Sequence, residues 1–480
     1  MLPQAGLCIA PESRCAHYFC PGFVASICPR SNADQSPTDG YTLAMQATEF
    51  ILSASWVLPI APDNTALRDH GVAVSQGRIV GLAPIKALQQ QYPTFEHTHL
   101  EHHIVLPGLV NAHGHGAMSL MRGVGAGLPL QEWLNEAIWP FEARHMDASA
   151  VALGTELASA EMLLAGTTTF ADMYFFPETV ARVAHQTGMR CQIAAPVINF
   201  ATNWAKDADD SLHKTLNLYD EYRHHPLINI AFGPHSAYSV EQKHLTQIAM
   251  YADELDASIH IHLHENKREV EQAQQQLGHG YVRLLHDLGL LGPRLQAVHM
   301  TELDHQDIEM IAATRANIVH CPSSNMQLAS GSCPVATLQN QAITVAIGTD
   351  GAASNNSQDL FAELRLASLL AKHEAADPTQ GDASMMLKMA TLDGATVLGM
   401  DREIGSIEPG KSADLIAVDT RRANMTPVHN PFASLVHNSS GSAVSDVLVA
   451  GRALVRNGQL TKINLDELCR KAQRWQLQLA

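Results

Sequence analysis

The sequence predicts an α/β fold: a (β/α)8 TIM-like barrel with a small β-sandwich domain built from both chain ends. Three observations predict it. First, eight short apolar runs, at 104–112, 167–174, 189–198, 228–235, 258–264, 295–300, 316–321 and 343–349, are separated by helix-like stretches such as 150–165 and 360–373. Residues 107–404 are enough for a barrel, which takes about 250 residues. Second, short strands with glycine turns lie on both sides of that segment. Third, histidines and carboxylates stand where five of the runs end, the rim on which such barrels build their sites. An open doubly wound sheet would carry a Gly-rich dinucleotide fingerprint after its first strand, and none occurs.

Taken in order, residues 1–45 read as an N-terminal extension without clear periodicity, compatible with disorder. Four of the eight cysteines lie there, at 8, 15, 20 and 28, with no C-x-x-C among them. Ordered pattern begins just after Met45, a candidate start. Residues 46–106 plus 405–462 are expected to form the small β domain. Phe50-Ile51-Leu52 and Ser55-Trp56-Val57-Leu58 read as short strands, and 71–82 as a hairpin turning at Gly77. Near the other end, 413–418 reads as a strand, 446–455 as a hairpin and Asn457-Gly458 as a further turn. Residues 463–480 read as a C-terminal helix capped by Asn464, with Leu465, Leu468, Ala472 and Trp475 on one face.

The net charge of −17 argues against nucleic-acid and anionic-membrane partners. No stretch reaches the roughly 20 apolar residues of a membrane span, and the N-terminus lacks the basic-then-apolar pattern of a secretory signal. Cys191, Cys321, Cys333 and Cys469 are scattered, as free thiols are in a cytoplasmic protein. A cytoplasmic location is therefore expected; oligomeric state, a homo-oligomer included, is left open.

The chemistry concentrates at the strand ends. Asn111-Ala112-His113-Gly114-His115 follows the first run, and alternation along a strand points His113 and His115 the same way. His97-Thr98-His99 has the same form but sits in the polar stretch Glu96–His103 and reads as a solvated loop. His235 ends the fourth run, His262 and Glu265 the fifth, His299 the sixth and Asp350 the eighth. His113, His115, His262 and Asp350 could hold one zinc or similar ion with a position left for water. On the fifth strand, however, His260, His262 and His264 share a face, and spacing cannot choose among them. Such an ion lowers the pKa of its water from about 16 toward roughly 7. Asp350 would accept the water's proton, Glu265 would protonate a ring nitrogen, and His299 would orient the water. The plainer reading of each is a structural hydrogen bond. His320, in His-Cys-Pro-Ser-Ser-Asn, reads as loop-shaping.

The strings LPGLVNAHGHGAMSLMRG, FGPHSAY, HIHLHENKREV, GTDGAASNNSQDLFAELRLASLL and GSIEPGKSADLIAVD resemble the amidohydrolase superfamily. They are most similar to its 5-methylthioadenosine/S-adenosylhomocysteine deaminases, kin of the triazine hydrolases. The resemblance covers about residues 46–460. It implies one Zn2+ on His113, His115, His262 and Asp350, and chooses His262 because the ligand lies three before the glutamate. It implies a small-molecule nucleoside substrate, with Glu265 protonating the purine, Asp350 relaying the water's proton, His235 bonding the purine and Glu142 holding the ribose hydroxyls. Without it, Glu142 in Trp-Pro-Phe-Glu reads as a surface charge. The implied reaction is hydrolytic deamination at C6 of 5'-methylthioadenosine, with S-adenosylhomocysteine or adenosine as further substrates.

Two positions depart from the pattern. Relatives that grip the homocysteine carboxylate use arginines after the third strand, whereas 191–222 contains only Lys206 and Lys214 as basic chains. That tilts the expectation toward methylthioadenosine. Gly114 stands where threonine is commoner, at a position pointing away from the metal. The competing readings are a deaminase or chlorohydrolase of guanine, a pterin, cytosine or a triazine, and a barrel with a structural metal. A binuclear cyclic-amide hydrolase would need a lysine on the fourth strand, and 226–238 has none. The P-C-x-x-C of the other zinc deaminases is absent.

Overall fold

The computed structural model describes residues 49–479, so the expectations for 1–45, its cysteines and Met45 lie outside the described residues. In chain order the strands are β1 (Phe50–Val57), β2 (His70–Ser75), β3 (Arg78–Pro84), β4 (Glu96–Pro107), β5 (Leu109–Asn111), β6 (Thr167–Asp172), β7 (Arg190–Val197) and β8 (Ile228–Pro234). They continue with β9 (Ile259–Leu263), β10 (Leu295–His299), β11 (Asn317–His320), β12 (Val345–Ile347), β13 (Leu415–Asp419), β14 (Val444–Val449), β15 (Arg452–Arg456) and β16 (Gln459–Leu460).

Strands β5 to β12 form the barrel, pairing in parallel in sequence order. Ala112 N donates to Ile347 O at 2.9 Å and Asp350 N to His113 O at 3.0 Å, which joins the first strand to the last. The Asn111 amide adds two bonds across the same seam, to Thr349 N and Thr349 Oγ1. β6, Thr-Thr-Thr-Phe-Ala-Asp, is buried at every residue, as a parallel strand covered on both faces should be. Helices follow the strands, and several begin at side-chain caps, among them Asp147 before 148–164, Asp207 before 208–222, Asn266 before 267–277 and Asp304 before 305–314. Each cap satisfies amide donors that a helix start leaves without partners.

The other sheet is mixed and draws on both chain ends, in the order β16-β15-β14-β13-β4-β1-β2-β3. Its hairpins turn on pairs of left-handed residues: Gln76-Gly77, Ala450-Gly451 and Asn457-Gly458. Ala413 N bonds Gly77 O and Ile79 N bonds Lys411 O, so the sheet bends back on itself. Leu52, Val72, Val74 and Ile79 thereby share one core with Val105, Leu415, Ala417 and Leu448. A buried ion pair ties this sheet to the barrel: Arg190 on β7 reaches Asp414 at 3.0 Å.

Four local expectations are corrected. The run 104–112 is two strands, because Pro107-Gly108 hands the chain from one sheet to the other. A Cβ on Gly108 would lie 2.1 Å from Thr168 Oγ1, so only glycine permits that crossing. The runs 50–52 and 55–58 are one strand, β1. His97 and His99 are in β4 rather than a loop, paired with β1 and bonded to Ser53 Oγ at 2.8 and 2.9 Å. A sheet strand needs only its backbone paired; the polar side chains recorded exposure, not loop structure. In the helix 465–477, Asn464 does cap, but Leu468 is buried while Leu465 is exposed. Among the described residues no helix is long and apolar enough to cross a membrane.

Candidate active site

The exits of β5, β9, β10 and β12 converge. The ring centroids of His113 and His115 are 4.8 Å apart, those of His113 and His262 4.9 Å, and those of His115 and His262 5.3 Å. Asp350 Oδ1 lies 3.3 Å from the Nε2 of both His113 and His115. Ligand atoms of His113, His115 and His262 lie within 4.8 Å of one another, as do those of His113, His299 and Asp350. Backbone shape helps to aim these groups: His264, His299 and Asp350 are all left-handed, a conformation that costs energy and collects at functional sites. Close packing helps as well. A Cβ on Gly348 would meet His113 at 2.9 Å, and one on Gly351 would meet Met118 at 2.6 Å.

Each ring is held through Nδ1, which leaves Nε2 inward. His115 Nδ1 donates to Met173 O, His262 Nδ1 to His235 O at 2.8 Å, and His113 Nδ1 meets His260 Nε2 at 2.7 Å. Burial holds His113 and His262 well below the usual imidazole range, so both are neutral. Burial alone would raise Asp350, but the imidazoles of His113 and His115, each 3.3 Å from its Oδ1, outweigh it and hold the carboxyl low. Ser324 Oγ, at 2.6 Å, occupies its other oxygen. His113 Nε2 is fully buried and makes no hydrogen bond, despite its 3.3 Å approach to Asp350. Such an atom is costly unless something binds it. Three imidazole nitrogens and one carboxylate fit a zinc ion, with one further side of the cluster open to a cavity.

That cavity has a volume of about 770 Å3 including its mouth. Glu265 and His299 face it beside Asp350, with His299 Nε2 3.8 Å from Glu265 Oε2. Burial, then the charges of Asp350 and Glu269, push the Glu265 carboxyl well above the usual range. Burial brings His299 down to about 4, and Asn325 Nδ2 donates to its Nδ1, which places the ring proton on Nε2. His235 lines the wall next to His262, at 5.0 Å between centroids. Glu142 is buried rather than a surface charge: it sits in the helix Trp139–His145, accepts from Tyr174 Oη at 2.7 Å, and burial raises it to about 7. Met118, Trp133, Leu134, Ile138, Phe175 and Leu328 make most of the wall apolar, and no described residue lining it is lysine or arginine.

All eight residues singled out from the sequence are therefore brought together. His264 is not at the cluster: its left-handed backbone turns the ring to Glu302 O and Tyr281 N, away from the face it would share with His260 and His262. His320 ends β11 fully buried, followed by a helix from Pro322 rather than a turn. Three contributors were missed. Tyr174 is hidden in an aromatic stretch that looks like core, and its only signal is its place just past β6. Asn325, with Pro322, suggested a turn and Ser324 was not singled out, but the helix they lie on reaches Asp350 and His299.

The Amidohydrolase family matches residues 104–454. A 5-methylthioadenosine/S-adenosylhomocysteine deaminase of Teredinibacter turnerae is 46% identical over 431 residues, covering 90% of this chain and 98% of that protein. A 5'-deoxyadenosine deaminase of Methanothermobacter thermautotrophicus is 41% identical over 361 residues, 74% of this chain and 83% of that one. An adenosine deaminase from Xanthomonas campestris with bound zinc superposes with a TM-score of 0.87 at 40% identity, covering 90% of this chain and 98% of its own.

Proposed function

This chain belongs to the amidohydrolase family, and from that premise we infer that it is a zinc-dependent hydrolase that removes the C6 amino group of an adenine nucleoside as ammonia. The observation that carries this reading is the convergence of His113, His115, His262 and Asp350 beside a buried acid, Glu265, at the floor of a largely apolar cavity. Glu142 stands in the same cavity with a carboxylate suited to a ribose diol.

We assign the roles as follows. His113, His115, His262 and Asp350 hold the ion, which when bound brings the pKa of a water toward about 7. Asp350 takes one proton of the attacking water, and the water oxygen bonds to C6. Glu265, protonated before the reaction, gives its proton to ring N1. His299 keeps the water in line through Nε2–H. Glu265 then recovers a proton from the new hydroxyl, Asp350 passes its proton to the amino group, and the C6–N bond breaks. Ammonia leaves, the product keeps a carbonyl and N1–H, and both carboxyl groups are restored. His235 bonds the purine edge, and Glu142 accepts from the ribose hydroxyls. A free base or a triazine has no diol for Glu142.

The apolar wall favours a small uncharged 5' group, so 5'-methylthioadenosine is the preferred substrate. Neither lysine after β7 lines the cavity, and Lys214 is paired with Asp210 at 3.1 Å. A homocysteine carboxylate would therefore lose water without gaining a charged partner. The net charge and scattered thiols further support a cytoplasmic enzyme without nucleic-acid partners. The test is to give zinc-loaded protein methylthioadenosine, S-adenosylhomocysteine, adenosine and guanine separately, and follow ammonia release together with the adenine-to-hypoxanthine change in the ultraviolet. Methylthioadenosine should give a kcat/KM at least about tenfold above S-adenosylhomocysteine. Turnover of guanine alone would overturn the assignment.

A further inference from the structure

A hydrogen-bonded line runs from the cluster down the barrel interior. His113 Nδ1 meets His260 Nε2 at 2.7 Å, His260 Nδ1 meets Gln296 Oε1 at 2.6 Å, and Gln296 Nε2 donates to Val397 O at 2.8 Å. Gln296 and His260 are direct neighbours across β10 and β9, and both are buried. Val397 ends the helix Leu392–Val397, so its carbonyl is one that a helix terminus leaves without an internal partner.

Every link has a fixed direction. A carbonyl only accepts, so the amide face toward Val397 must be NH2 and the face toward His260 must be Oε1. An amide oxygen only accepts, so His260 must carry its proton on Nδ1. A neutral imidazole protonated on Nδ1 offers a lone pair at Nε2. That lone pair requires His113 to donate from Nδ1, which leaves the His113 Nε2 lone pair pointing into the cluster.

We propose that Gln296 is a positioning residue that fixes the tautomer of His113 through His260 and thereby sets zinc affinity. The proposal rests on the reading of His113 as a zinc ligand. It reaches beyond it by naming two residues, Gln296 and His260, that never approach the ion. Partners of this kind orient a ligating ring, and their loss costs about 10- to 100-fold in metal affinity.

The test uses the full-length protein and zinc, with affinity measured by chelator competition and folding monitored by thermal unfolding of the metal-free form. Gln296→Met keeps the shape and removes both bonds; the zinc Kd should rise about 10- to 100-fold. Gln296→Glu keeps an acceptor toward His260 Nδ1 in either protonation state, so its Kd should stay within about threefold of wild type. A packing role predicts the reverse order, because methionine suits a buried floor and a carboxyl does not. Equal affinities, or that reverse order, would overturn the proposal. A second measurement needs no variant: 15N spectra of histidine-labelled wild type should show His260 protonated on Nδ1, and protonation on Nε2 would equally overturn it. If wild type binds no zinc at all, the site reading itself fails instead.

Discussion

Replacing Glu265 by glutamine tests the proposed chemistry most directly. The residue is 7% exposed, and His299 Nε2 lies 3.8 Å from its Oε2. Burial and the nearby carboxylates keep it protonated, so a neutral amide of the same shape replaces a neutral acid. Folding stability should change by no more than about 0.5 kcal/mol. The site should also keep its zinc, since Glu265 is not among the four proposed ligands. What disappears is a proton that can move. A positioned general acid contributes about 10²- to 10⁴-fold, or about 2.7–5.5 kcal/mol of barrier. Zinc content, melting temperature and kcat on methylthioadenosine, measured on one preparation, separate these effects. Full zinc, an unchanged melt and kcat within about fivefold of wild type would refute the proton-transfer role.

Glu142→Gln should raise KM for ribosides and leave 2',3'-dideoxy analogues unaffected; an equal change for both sinks the diol assignment. Glu142 also sets a pH dependence. Its folded pKa of about 7 lies above the ordinary 4.5, so its stabilising contribution is present below 4.5 and lost as pH rises through about 7. Wild type should therefore lose melting temperature relative to Glu142→Gln between about pH 5 and pH 8, which calorimetry at the two pH values checks. Over the same range the ionised form accepts hydroxyls, so kcat/KM for ribosides should climb in wild type and stay flat in the variant. Gly108→Ala should destabilise by about 1–3 kcal/mol through its clash with Thr168, and Thr168→Ala should recover part of that; an unshifted denaturant midpoint would show that the crossing tolerates a side chain. Stripping the metal with a chelator should abolish deamination and lower the melting temperature, with a loss of about 4 kcal/mol if zinc was present at a thousand times its Kd.

Much of this arrangement was legible from pattern. The barrel strands could be read because parallel strands covered by helices are almost free of charged residues, and the histidines and carboxylates ending them stand out against that background. The hairpins could be read because their turns need left-handed residues. Glu142 could not be placed from pattern, because its burial depends on the Trp139–His145 helix folding over a cavity made by distant strands. Nor could His264 be separated from His260: alternation puts them on one face, and only a single left-handed residue at the end of β9 breaks that alternation. The split at Gly108 was invisible for a related reason, since two strands of different sheets share one apolar run.

The order of residues alone settled the barrel, the membership of both chain ends in one second sheet, and the identity of the side chains at the strand exits. These are local properties, written in periodicity and in the few residues that turns and caps require. Which histidine faces the cluster, which carboxyl is buried, and in which direction the bonds from Val397 to His113 run were decided only by tertiary structure. Each depends on groups far apart in sequence whose distance and solvent exclusion do not exist until the chain closes.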